Sequence, residues 1–248
     1  MVVDKPLAPS AVEGRALADE ARAGGVVLSV FHNRRWDGDF LTLRRLLEEG
    51  ALGAPARLES RFERWRPEVD AGRWRELPDP ADAGGLLADL GSHLIDQAMV
   101  LFGRPVAVHA ELDLRRPGAR VDDDCFVALT HANGVRSHLS ASMLAADDPP
   151  RLRAVGLAGV YVKRGLDVQE AALRAGGRPG GPNWGAEPEE AWGRLHDGSG
   201  ARAVPTAPGD YPAFYAGMAR ALRGGAPAPV DPYEAVAVLE VIEEARGR

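Results

Sequence analysis

Cysteine is nearly absent from this 248-residue chain. The one at position 125 has no second thiol to join, which excludes an intrachain disulfide framework and a thiolate metal site. It sits in the apolar run CFVALT and reads as a small buried hydrophobe. Long apolar runs are missing too. None approaches the ~20 residues that span a bilayer, and the N-terminus shows no basic region followed by an apolar segment, so we expect a cytoplasmic protein without a membrane partner. There is no excess of positive charge: 30 Lys and Arg stand against 36 Asp and Glu. Neither sign gathers into a block, and nucleic acid is not an expected partner. Internal repeats and low-complexity tails are absent as well. The hydrophobic fraction of 45% is enough for a large core, in one large domain or two small ones.

The chain opens on VVDKPLA, an apolar run ending in Asp4, Lys5 and Pro6 that reads as the end of a strand. Pro9 and Ser10 then start a helix with Val12, Ala16, Leu17 and Ala21 at helical spacing, and Gly24 and Gly25 stop it. VVLSVF, residues 26–31, is the next strand. Strand, helix, strand is the closing unit of a parallel α/β sheet whose other strands are absent from the sequence. A helix is expected from about Phe40 to Glu49. Beyond it, strands are expected at 57–65, 106–114, 125–131, 135–143 and 152–164, with Ala132-Asn133-Gly134 as a hairpin turn. A helix carrying GGLLADLGSHLIDQAMVLFG interrupts the series, and helices near 210–223 and 232–246 close the chain. Residues 175–192, rich in Gly and Pro, read as a surface loop open to ordering by a neighbouring subunit. The fold class is α/β with an α+β character: residues 1–31 are expected to be a remnant of a dinucleotide-binding domain, and 32–248 an open, mostly antiparallel sheet backed by helices.

Three clusters carry chemistry. In GGLLADLGSHLID, Asp89, His93 and Asp96 fall at i, i+4 and i+7, so an α-helix puts them on one face. An imidazole beside a carboxylate suits general acid/base work near neutral pH, though a plain stabilising helix pair has the same spacing. Gly84 and Gly85 favour the functional reading, since they allow something to approach the first turn closely. Asp4, Lys5 and Pro6 lie where ligands sit in open α/β sheets, and a solvated loop lysine is the alternative. HNRRWD, residues 32–37, follows the second strand at the same edge. There Arg34 and Arg35 either face a ligand or pair with Asp37 and Asp39. The first cluster, with His32, also admits an Mn or Zn site. Against it, Asp96 lies about 10 Å along a helix axis from Asp89, and no metal is expected.

In this order and at these separations, VDKPLA, VFHNRRWD, WRELPDPADAGGLLADLGSHLID and GDYPAFYAGMARAL resemble the Gfo/Idh/MocA family of oxidoreductases along essentially the whole chain. The resemblance implies an enzyme with a Rossmann domain for NAD or NADP and a sheet domain that holds a sugar or polyol and forms the homo-oligomer. It implies catalytic roles for Lys5, Asp89 and His93, and substrate contacts for Asn33, Arg34 and Tyr211, with Tyr215 a further lining candidate. Lys5, Pro6, Trp74 and Arg75 would lie near the cofactor. Asp4 departs from the family's usual Glu. The Gly-rich turn that cradles a dinucleotide is not in the sequence, and Gly24-Gly25 and Gly224-Gly225 follow helices as caps. We therefore expect an NAD(P)-dependent dehydrogenase of a secondary alcohol or its ketone, lacking most of its cofactor domain. The alternative is a non-catalytic, sheet-mediated oligomerisation or regulatory module.

Overall fold

The computed structural model describes residues 1–70, 72, 74–79 and 83–247, with only the backbone of Trp74. The chain begins with strand β1 (Val2–Val3), helix α1 (Ala11–Ala23) and strand β2 (Ser29–Val30). The two strands pair in parallel, as strand-helix-strand order requires, but each is shorter than the apolar runs suggest. Ser10 caps α1 by accepting the Glu13 amide. The helix buries Ala11, Gly14, Ala18 and Ala21, while Val12 and Leu17 are exposed. The larger residues of the expected apolar stripe therefore face water and only Ala21 of it is buried, because small residues let α1 lie close to helix α6 (Pro232–Ala245); a Cβ on Gly14 would meet Leu239 at 3.0 Å.

A 3-10 turn (Asn33–Trp36) and helix α2 (Gly38–Glu48) lead into the main sheet. Its strands are β3 (Pro55–Glu63), β4 (Pro105–Asp113), β5 (Asp124–His131), β6 (Arg136–Ser142), β7 (Leu152–Gly156), β8 (Val160–Lys163), β9 (Gly193–Asp197) and β10 (Gly200–Val204). The order is β10-β9-β8-β7-β3-β6-β5-β4, antiparallel throughout except for the parallel pair β3 and β6. The 152–164 stretch is two strands rather than one, turning at the exposed Leu157. The hairpin β9-β10 has no clear periodicity in its sequence: Leu195 and Val204 alone are buried large residues there. The 132–134 turn forms as expected, with Gly134 at φ +83°.

Leu58, Phe62, Val127, Leu129, Leu139 and Ala154 point from the sheet toward helix α3 (Ser92–Phe102) and α6, making the main core. Period-two alternation leaves the other face to Arg57, Glu59, Phe126, His138 and Ser140, all partly exposed. A second core joins Leu7, Leu28 and Val30 to Phe214 and Met218 of helix α5 (Tyr211–Leu222) and Leu239 of α6. Residues 1–31 are thus fastened to the end of the chain. The 175–192 segment is tied to its own chain at two points: the Trp184 indole donates to Gln169, and Glu187 pairs with the buried Lys163. Gln169 begins α4 (Gln169–Arg174), a short helix not anticipated in the sequence. Among the described residues no helix is long and apolar enough to cross a membrane.

Candidate active site

One large cavity, about 1140 Å³, opens between the end of β1, the 3-10 turn after β2, the start of α3, α4 and α5. Lys5, Asn33, Arg34, Arg75, Asp89, His93, Tyr211 and Tyr215 all line it. The sequence clusters therefore converge, although 84 residues separate Lys5 from Asp89. Pro6, which follows Lys5 through a cis peptide bond, is not among the lining residues. The Trp74 side chain lies outside the described residues.

Lys5 is buried, not a solvated loop lysine. Its Nζ donates to the Asp89 carbonyl oxygen and to Asp89 Oδ1, both at 2.6 Å. Arg75 Nε reaches the same oxygen at 2.8 Å. Burial pushes the Lys5 amine below its ordinary value against the pull of Asp89. Burial would raise Asp89, but Lys5 and Arg75 outweigh it and hold the carboxyl below the usual range.

The helix carrying Asp89 begins with a π turn, Leu87–Gly91, before α3. The wider turn offsets the seven-residue alignment expected of an α-helix, and π turns recur at functional sites. Asp96 consequently leaves the cavity side and forms a two-pronged bond with Arg35, at 2.6 and 2.8 Å. It also lies 3.9 Å from His32 Nδ1. Asp89 and Asp96 thus serve different cations and do not share an ion site with His93; among the described residues no group of three His, Cys, Asp or Glu could hold a metal.

His93 stands without the carboxylate that the spacing offered. Its Nδ1 is buried with no hydrogen-bond partner, and its ring meets His32 edge-on at 5.8 Å and Phe62 at 6.5 Å. Burial, reinforced by Lys5, His32 and Arg34, holds it well below the ordinary imidazole value. It is neutral at pH 7 and can accept a proton.

Arg34 is buried and makes three contacts: Asp37 at 3.4 Å, the Tyr211 hydroxyl at 3.2 Å, and Glu170 of α4. Tyr211 donates in turn to Asp37 at 2.9 Å. The expected pairing with Asp37 therefore holds for Arg34, whereas Arg35 goes to Asp96 and Asp39 to the buried Arg151. Of the two tyrosines, Tyr211 is buried and Tyr215 exposed at the rim.

The glycines before the helix admit a part of the chain itself. Gly85, at φ +98°, would place a Cβ 2.2 Å from Asp122 Oδ1, and Asp122 Oδ2 accepts the Leu87 amide at 2.6 Å. A Cβ on Gly84 would meet the Leu77 carbonyl at 2.2 Å. Sequence reasoning missed Asp122, Glu170 and Arg116. Arg116 fixes one wall by bonding Asp123, both Glu76 oxygens and the carbonyls of Arg66 and Glu68. Nothing in their local patterns sets these residues apart. Arg64, just past β3, was missed too, although the Leu58, Ser60, Phe62, Arg64 alternation puts it on the apolar side of that strand.

A parallel strand-helix-strand unit lies beside an open sheet, and one cavity holds Lys5, Asp89 and His93. Known proteins share this sequence and fold. Residues 40–162 match the GFO/IDH/MocA C-terminal domain. The chain is 44% identical to the oxidoreductase YdgJ of Escherichia coli, over 98% of its own length and 70% of that protein's. It is 39% identical to the scyllo-inositol 2-dehydrogenase (NADP(+)) IolW of Bacillus subtilis, over 99% of its length and 68% of that protein's. The solved structure of the oxidoreductase YvaA from Bacillus subtilis superposes with a TM-score of 0.93 at 39% identity, covering 99% of this chain and 70% of that one. The chain belongs to the Gfo/Idh/MocA family of oxidoreductases.

Proposed function

We propose that the chain supplies the substrate pocket and the proton-handling residues of an NAD(P)-dependent dehydrogenase, one that interconverts a secondary alcohol and a ketone on a sugar, polyol or related small molecule. The observation that carries this reading is His93: a neutral imidazole with an unpartnered Nδ1, in the wall of a cavity that also holds a buried lysine paired with a carboxylate. A relative named for scyllo-inositol oxidation with NADP supports the substrate class.

The cavity suits the reacting end of a nicotinamide. Lys5 and Arg75 border it as polar donors, and Pro6 and Trp74 belong to the same two segments. These residues would meet the nicotinamide end of the cofactor. When bound, the nicotinamide accepts or supplies the hydride. His93 takes the proton of the reacting hydroxyl. Lys5 steadies the negative charge that develops on that oxygen, and Asp89 holds Lys5 in place while accepting from neighbouring hydroxyls. Asn33, Arg34 and Tyr211 shape the substrate side, and the closed Arg34-Asp37-Tyr211 network keeps them rigid.

On the same reading, residues 1–31 close a dinucleotide-binding domain and 32–248 form the substrate domain. The partly exposed sheet face, with Phe126, Val155 and Val160 between charged residues, is where a second copy would pack. We place the protein in the cytoplasm, where its lone buried Cys125 stays reduced. The test is a hydride-transfer assay, with NAD or NADP and a panel of polyols, of a version of the enzyme that carries a complete dinucleotide-binding domain. Turnover that needs both components and falls at least ~100-fold in His93→Ala supports the function. Turnover unchanged in that variant removes His93 from the reaction.

A further inference from the structure

Arg64 and Arg66 are the cations in the cavity wall whose side chains have no counter-ion among the described residues, and of the two Arg64 is the one partly buried. Leu58, Ser60 and Phe62 alternate on the buried face of β3, and Arg64 continues that face two residues past Phe62, about 6.6 Å farther along the strand direction. The backbone there is fixed: the Arg64 amide donates to the Ser142 carbonyl, and the Arg64 carbonyl accepts from Ala145. Leu58, Ser60 and Phe62 are covered, whereas Arg64 passes beyond the cover and lines the cavity.

The other cations of the cavity are largely committed. Lys5 and Arg75 go to Asp89, Arg34 to Asp37 and Glu170, Arg174 to Glu170, and Arg116 to Asp123 and Glu76. The Arg64 side chain makes no hydrogen bond or ion pair among the described residues. Its surroundings do not compensate. Burial and the like charges of Arg66 and Arg34 press its pKa down, and Glu170 and Asp89 act on it only at a distance. No Arg64 nitrogen is among the buried unpartnered atoms, so its five N–H donors open onto the cavity and are available to oxygens that enter it.

We propose that Arg64 anchors the substrate by donating two N–H groups to a pair of adjacent oxygens on the part of the molecule away from the reacting carbon. This rests on the reading of the cavity as a polyol site. A planar fork fits two neighbouring oxygens, whether the hydroxyls of a vicinal diol or the two oxygens of a sugar acid's carboxylate. The contact selects for an oxygen pair at a fixed distance from the carbinol and against simple alcohols.

The experiment is ligand-observed NMR titration of the purified chain with scyllo-inositol and with D-glucuronate. It compares wild type, R64Q, R64K and a control, R57Q, whose side chain lies on the opposite sheet face against Glu59. R64Q is expected to weaken binding of at least one probe ~10-fold or more, and R64K to weaken it too, because an ammonium lacks the paired donors. R57Q should bind as wild type. With no partner to lose, R64Q should keep its melting temperature within about 2 °C. The probe that loses more affinity identifies the oxygen pair as diol or carboxylate. Wild-type affinity in R64Q for both probes overturns the anchor while leaving the polyol reading in place, and wild-type affinity in R64K overturns the paired contact. Failure of wild type to bind either probe overturns the polyol reading and the anchor with it.

Discussion

Gly85→Ala tests whether the helix start is built around Asp122. Gly85 adopts φ +98°, a region that costs an L-residue about 1–2 kcal/mol. A Cβ there would stand 2.2 Å from Asp122 Oδ1 and 2.9 Å from Cγ, so the carboxylate has to move. It then gives up the Leu87 amide it accepts at 2.6 Å, a helix-start contact worth roughly 0.5–2 kcal/mol. Together these give a loss of about 1.5–4 kcal/mol, or roughly 3–16 °C in melting temperature for a chain of this size. The assay is urea unfolding of wild type, G85A, D122A and the double variant. Because one contact is removed twice, the double variant should fall short of the summed losses by at least about 0.5 kcal/mol. A G85A loss below about 0.5 kcal/mol, or strict additivity, refutes the reasoning.

Other expectations concern burial and charge. Phe214, fully buried between Phe31 and Trp36, should cost about 3–5 kcal/mol when replaced by Ala, read by the same unfolding assay. His93 has a folded-state pKa below its unfolded one, so the unfolded chain binds the extra proton and stability falls as pH drops below about 6.5. Unfolding at pH 7.5 and 5.5 should show H93Q losing less than wild type, by up to about 1.4 kcal/mol per pH unit; equal slopes would mean that His93 is protonated in the fold. Arg151 is buried against Phe62 and pairs with Asp39, so Arg151→Met should destabilise by about 3–5 kcal/mol by leaving that carboxylate unpaired. Burial raises the Cys125 thiol far above its ordinary value, and a maleimide should label the native protein far more slowly than the urea-unfolded chain.

Much of this was legible in the sequence because it depended on period and punctuation. Alternation in β3, β5 and β6, the Ser10 cap and the Asn133-Gly134 turn are local signals, and the structure follows them. The closing hairpin β9-β10 lacked such a signal because it is an edge element with few buried side chains. Helix α1 misled because its packing relies on Gly14 and alanines, so the larger Val12 and Leu17 are left outside. At the site, residue types and order brought Lys5, Asp89 and His93 into view, but pairings are tertiary. A π turn that no residue pattern announces sends Asp96 to Arg35. Lys5 reaches Asp89 across the fold, so the expected His-carboxylate pair is replaced by a Lys-carboxylate pair and an imidazole with a free nitrogen. Gly84 and Gly85 did mark a close approach, of Leu77 and Asp122 of the chain itself.

The central claim is that the Lys5-Asp89-His93 cavity is where hydride leaves a polyol carbon. Scyllo-inositol carrying deuterium on its ring carbons, incubated with oxidised nicotinamide cofactor and a version of the enzyme that carries a complete dinucleotide-binding domain, tests it at the atom concerned. The account predicts deuterium at C4 of the recovered nicotinamide with wild type, and a yield at least ~100-fold lower with His93→Ala. Deuterium retained entirely on the polyol with wild type, or equal transfer in both proteins, would contradict it.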